Sequence, residues 1–151
     1  MTRAIGFAAS LMAVVAVAAC DSGPPGSPLV GTGWALVAIE EGGQAIQPPP
    51  AADPPTLTFS TEVAQDGIRR RLSGSGGCNN LVGSYRTAAP DTLRLGALAT
   101  TRKACAPEVM EFELLLTRVL TEVTSYAVEG STLVMTFGPN RVRFEGGPIL
   151  P

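Results

Sequence analysis

Histidine is missing from all 151 residues. That absence excludes Ser-His-Asp and Cys-His catalysis, which need imidazole as the proton carrier. It excludes His-ligated zinc or non-haem iron centres, and it removes the commonest general base near neutral pH. Lysine is nearly missing too. Lys103 is the single example among 11 cationic residues, the rest being Arg. Charge of either sign is scarce: the formal net charge is -2, and residues 20–151 alone carry -3 because Arg3 is the only ionisable side chain before them. Such a balance gives no field able to hold nucleic acid. No apolar run is long enough to cross a bilayer comfortably; the longest, Ile5 to Ala19, has the length of a signal-peptide core.

What is present begins with that run. Arg3 gives a short positive start, and the apolar stretch ends in Val17-Ala18-Ala19-Cys20. Small residues before a cleavage point suit a signal peptidase, whose pocket holds short side chains. The aliphatic-small-small-Cys pattern resembles the lipobox of bacterial lipoproteins. It implies that residues 1–19 are removed and that Cys20 becomes the lipidated first residue. An ordinary secretory signal with a chance Cys, or a short membrane anchor, are the alternatives. Lipid chains contribute about 0.8 kcal/mol per buried CH₂, so two or three acyl chains hold a protein on a membrane. Residues 20–30 are rich in Gly, Pro and Ser and read as a flexible tether with nothing to bury. Ten extended residues reach about 33 Å. Asp21 resembles an inner-membrane retention signal of some Gram-negative bacteria, and the leaflet stays open.

The remaining chain, 31–145 with a frayed tail at 146–151, reads as one domain. Gly33 to Glu40 alternates Trp34, Leu36 and Ala38 with Ala35, Val37 and Ile39, so both faces are apolar and the strand is expected to be central. The Pro-rich stretch 47–55 is a loop, since Pro cannot donate to a sheet ladder. Thr56 to Ser60 and Ile68 to Gly74 are further strands, the second carrying Arg69, Arg70 and Arg71 as a solvated edge. Tyr85 to Thr87 and Thr92 to Leu95 flank a turn at Pro90-Asp91. A helix begins near Pro107, where Pro suits the first turn and Glu108, Glu111 and Glu113 favour the positive end. Val109, Phe112, Leu115, Leu116, Val119 and Val123 form its apolar stripe. The alternating sets Tyr126/Val128, Leu133/Met135/Phe137 and Val142/Phe144, separated by Gly-containing turns, predict a three-stranded antiparallel meander. The expected fold is α+β: an antiparallel curved sheet or partial barrel of short strands with one amphipathic helix packed on it.

Cys78 and Cys105 remain once Cys20 is assigned to lipid. In an exported chain an even pair points to a structural disulfide; free buried thiols or a redox pair are the alternatives, and the Cys-x-x-Cys spacing of a redox pair is absent. The Gly run 74–77 has no Lys-Ser/Thr after it and so is not a phosphate loop. It reads as a tight turn in which Asn79 or Asn80 takes a left-handed backbone.

Together the segments Gly31 to Leu36, Leu57-Thr58-Phe59, Gly74 to Tyr85, Thr100 to Cys105, Glu111-Phe112 and Leu133 to Phe137 resemble the META (HslJ-like) domain of bacterial envelope lipoproteins. Lys103 departs from the family pattern, which usually has an apolar residue there. The resemblance implies a domain linked to heat shock, antibiotic tolerance and secretion or motility, with no agreed enzymatic activity. On this reading the chain is a lipid-anchored envelope protein, non-catalytic and without a cofactor. Its partners are the membrane through Cys20 and an envelope protein. A second reading is a small-ligand binder or weak hydrolase using a pocket between helix and sheet. Candidate binding residues are Asn79, Asn80, Tyr85, Thr101, Arg102 and Glu111, gathered around the disulfide. Against that, Asn79 can cap a turn, Tyr85 can pack, and Arg102 can pair with a helix carboxylate such as Glu108.

Overall fold

The computed structural model describes residues 28–147 except 65, 66 and 68. The proposed signal, Cys20 and tether residues 20–27, and tail residues 148–151, lie outside the described residues. The strands are β1 (Gly33–Glu41), β2 (Gln44–Ile46), β3 (Thr56–Val63), β4 (Arg70–Ser75), β5 (Asn80–Ala88), β6 (Thr92–Leu95) and β7 (Ala99–Thr100). The helix α1 (Pro107–Glu122) follows, and β8 (Ser125–Glu129), β9 (Thr132–Phe137) and β10 (Asn140–Gly147) complete the described residues.

The strands form one antiparallel sheet in the order β10-β9-β8-β6-β5-β4-β3-β1, and β1 pairs with β10, so the hydrogen-bonded path closes on itself. Strand β2 adds to β1, and β7 adds to β5. Closure removes open edges, the usual liability of an all-antiparallel sheet. The narrowest seam joins β6 to β8 through one pair, Thr92 with Ser125. The meander β8-β9-β10 and the strand at Thr92–Leu95 follow the sequence expectation. This is an α+β curved sheet carrying one helix.

Inward alternation builds a single core of Trp34, Leu57, Phe59, Leu72, Leu81, Tyr85, Leu93, Leu133, Met135, Phe137, Val142 and Phe144. Trp34 is fully buried because its indole N–H donates to the Leu29 carbonyl at 3.0 Å; an unpaired indole would be costly there. The helix adds Phe112, Leu116, Val119 and Leu120 to the same core, and Val123 just after it joins them. It crosses the end of the ring where β1 finishes and β4 turns into β5: Arg118 reaches Glu41 at 3.0 Å, and Glu113 reaches the β4–β5 turn.

Several expectations need correction. β1 is central, but a bulge between Leu36 and Ala38 lets Ala38 and Ile39 both bury, so strict alternation fails past that point. β4 is not an edge: it pairs with β3 on one side and β5 on the other, while Arg70 and Arg71 remain exposed. Alternation reports which face a side chain takes, not which strands lie alongside. Residues 28–30 are not free tether, since Leu29 and Val30 pack against the core and Val30 bridges to Phe59. Gly146 and Gly147 are not frayed; they pair with Trp34 and Gly33 and help to close the ring.

Candidate functional site

The β4–β5 turn leaves the sheet at Ser75 and returns at Asn80. Its left-handed position is Gly77, with φ +106°, and no non-glycine residue among those described has a positive φ. Asn79 and Asn80 therefore do not play the backbone role expected of them. Gly77 lacks the Cβ that would oppose such a φ. Within the turn, Gly76 N–H donates to the Asn79 carbonyl at 2.8 Å, and the Gly77 carbonyl accepts from Asp53 N–H at 3.1 Å.

Asn79 uses its side chain instead. Only 5% exposed, it donates through Nδ2 to Glu113 Oε1 at 2.7 Å. Its Oδ1 accepts from Thr101 Oγ1 at 2.8 Å and from Lys103 N–H at 2.7 Å. Glu113, 8% exposed, accepts two backbone N–H groups on Oε2, from Cys78 at 3.2 Å and Asn79 at 2.7 Å. Thr101 Oγ1 accepts in turn from Asn80 N–H at 3.2 Å. A buried carboxylate is tolerated only when its oxygens are occupied, and here both are.

The approach is close. A Cβ on Gly76 would stand 2.6 Å from Glu113 Cγ and Oε2, so the carboxylate reaches the turn only because that position is glycine. Cys78 and Cys105 are joined as a disulfide, with Cα atoms 6.1 Å apart. The bond ties the turn to the segment leading into α1. The turn is thus held three times over: by the disulfide, by Glu113 from the helix, and by Thr101 and Lys103 through Asn79.

The expected binding residues divide. Asn79, Asn80 and Thr101 converge beside the disulfide. Tyr85 does not; it lies in the core, edge-on to Phe59 with ring centroids 4.9 Å apart, and its hydroxyl donates to the Ser60 carbonyl at 2.9 Å. Burial raises the Tyr85 pKa above its ordinary value, opposed by the Arg70 charge and reinforced by Tyr126. Glu111 and Arg102 are exposed. Arg102 forms no ion pair with Glu108 among the described residues; the helix cation that pairs is Arg118, with Glu41 and Glu122. Glu113 is the residue that sequence reasoning passed over, treating it as a partner of the helix N-terminal charge. Yet it stands four residues after Val109 and three before Leu116, on the buried stripe, and that phase was its signal.

Where the helix meets the inner sheet face, the side chains of the α1 stripe join the core. A groove of about 430 Å³ lies on the outer face, lined by Val63, Ala64, Arg71, Val82, Ser84 and Ala97, among others. Among the described residues no three His, Cys, Asp or Glu side chains gather as a metal site would.

The META domain family matches residues 27–146. The chain belongs to that family. Its match spans the whole ring, the helix and the turn that the disulfide holds. A protein from Burkholderia xenovorans, solved by NMR, is similar at 30% identity and TM-score 0.64, covering 79% of this chain and 83% of its own. A second NMR structure is similar at 20% identity and TM-score 0.53, covering 76% and 88%. A DUF4847-family protein from Bacteroides vulgatus shares the fold at 12% identity and TM-score 0.52, covering 78% and 93%. No curated protein matches the chain.

Proposed function

We propose that this META-domain chain is an envelope lipoprotein, lipidated on Cys20, whose domain acts as a non-catalytic module that binds an envelope protein in a stress-related setting. The observation that carries the reading is the Cys78–Cys105 disulfide. Structural disulfides persist in oxidising compartments, which agrees with an export signal at residues 1–19 and with the lipobox-like Val17 to Cys20. The chemistry around the disulfide also favours a structural role. Both oxygens of Glu113 serve turn donors, so the one buried carboxylate of the site is committed to holding the fold. Met110 and Leu114 stand exposed four residues apart on α1, where side chains share a face, and they supply apolar contact for a partner.

The test is an in-cell crosslink and pull-down of the full chain beside Cys20→Ala. One envelope protein recovered only with the anchored form supports a tethered binding module. Recovery of none with either form overturns the protein-binding reading.

A further inference from the structure

The outer face of β4, β5 and β6 carries three arginines, Arg71, Arg86 and Arg94, that no carboxylate among the described residues pairs with. Leu72, Leu81, Tyr85 and Leu93 turn inward and are buried. Alternation therefore sends Arg71, Val82, Ser84, Arg86 and Arg94 outward, and all but Ser84 of these are exposed. The register sets Arg71 opposite Ser84 and Arg86 opposite Arg94. Directly opposed Cβ atoms are about 4.5–5.5 Å apart and diagonal neighbours about 7–8 Å, so Arg71, Arg86 and Arg94 form one patch.

Like charges directly opposite one another destabilise a strand pair, and Arg keeps its charge at any physiological pH. β4, β5 and β6 contain no Asp or Glu. The flanking acids Glu62 and Asp91 pair with none of the three arginines among the described residues, and Glu41, Glu122 and Glu40 pair with Arg118 and Arg143. Arg94 gives one N–H to the Val123 carbonyl at 3.0 Å, which meets a fraction of its donors and none of its charge. A chain of net charge -2 thus concentrates positive charge on one strip.

Beside the strip the surface is apolar. Val63 is 63% exposed and Val82 43% exposed, and both line the outer groove with Arg71. Guanidinium groups next to exposed valines match the chemistry of a membrane interface, where phosphates border hydrocarbon.

We infer that this face seats the domain on an anionic phospholipid surface, with Arg71, Arg86 and Arg94 meeting headgroup phosphates and Val63 and Val82 entering the interface. The inference rests on the lipid-anchored reading, in which the tether left once residues 28–30 join the domain, residues 21–27, reaches about 23 Å at full extension and keeps the domain near the bilayer. Tethering raises the local concentration of surface, so a contact that is weak alone is effective in place.

The test uses the full chain carrying Cys20→Ala, so that binding does not depend on acylation, which labelling with palmitate measures separately. Vesicles of phosphatidylglycerol with phosphatidylcholine are compared with phosphatidylcholine alone. The parent is compared with the double variant Arg71→Gln and Arg86→Gln, which carries the same residues 1–19. Each arginine near an anionic surface contributes about fivefold in affinity, so the double variant should bind anionic vesicles about thirtyfold more weakly, with unchanged melting temperature. Binding of the parent should weaken with added salt. Equal binding by parent and double variant would overturn the inference. So would displacement by inorganic phosphate beyond that of sodium chloride at the same ionic strength, which would indicate a discrete anion site.

Discussion

Glu113 on α1 and Asn79 in the β4–β5 turn are bound to each other twice, through Asn79 backbone N–H to Oε2 and through Nδ2 to Oε1, each at 2.7 Å. The side chain of Asn79 then passes the connection to Thr101 and Lys103. Helix, turn and the segment before the helix are therefore one hydrogen-bonded unit. Replacing Glu113 by Gln turns one acceptor into a donor facing Asn79 Nδ2 or the two backbone N–H groups. Hydrogen bonds to charged groups contribute about 1.5–3 kcal/mol, and buried donors left unpaired cost about 1–3 kcal/mol each. Glu113→Gln should lose about 2–4 kcal/mol in chemical denaturation. Glu111→Gln, at an exposed position, should stay within about 0.5 kcal/mol. Equal effects of the two would refute the assigned role of Glu113.

Gly76→Ala should act on the same unit from the other side. Its Cβ would meet the Glu113 carboxylate at 2.6 Å, and the carboxylate cannot retreat without abandoning Cys78 and Asn79. A loss of about 1–3 kcal/mol, the range for overpacking, is expected by the same assay. Combined with Glu113→Gln, the second change should cost less than it does alone, because the two act on shared contacts.

Reduction of the disulfide should lower the melting temperature while leaving the fold competent. Closing a loop of 27 residues' separation contributes about 3.6 kcal/mol in the chain-entropy treatment. For a domain of this size that corresponds to a fall of about 10 °C or more. Calorimetry with and without reductant measures it, and an unchanged transition would show that the bond does no stabilising.

Tyr85 gives the pH dependence. Its folded pKa is raised, chiefly by burial, while in the unfolded chain it is near 10. Below pH 10 both states keep the proton and Tyr85 adds no pH dependence. As pH rises past about 10 the unfolded state ionises first, so stability falls through that window. Denaturation at pH 9 and pH 11 should show this loss, and Tyr85→Phe should reduce it, after a pH-independent cost of about 1 kcal/mol for the bond to Ser60.

Much of this fold was legible in the residues. Pro107 and the Val109 to Val123 stripe located the helix, and period-two alternation located the meander, because those signals are local. The Gly-Cys-Asn turn and its Thr-Arg-Lys-Ala-Cys partner carried the family resemblance. Closure of the ring was not legible, since it depends on β1 meeting β10 at Gly33 with Gly147, and Gly146-Gly147 has no apolar pattern to announce a strand. Solvated arginines point to an edge for β4, whereas its backbone pairs on both sides. Of the site, Asn79 and Thr101 were found from proximity to Cys78 and Cys105. Glu113 was missed because an acid early in a helix is usually explained by the dipole, and that explanation hid its place on the buried face.

The most direct test of the proposed function is incorporation of radiolabelled palmitate into the full chain and into Cys20→Ala in a Gram-negative host, followed by membrane fractionation. The account predicts label in the full chain and recovery with membranes, and an unlabelled Cys20→Ala protein. An unlabelled full chain released into the soluble fraction with Cys20 intact would contradict it.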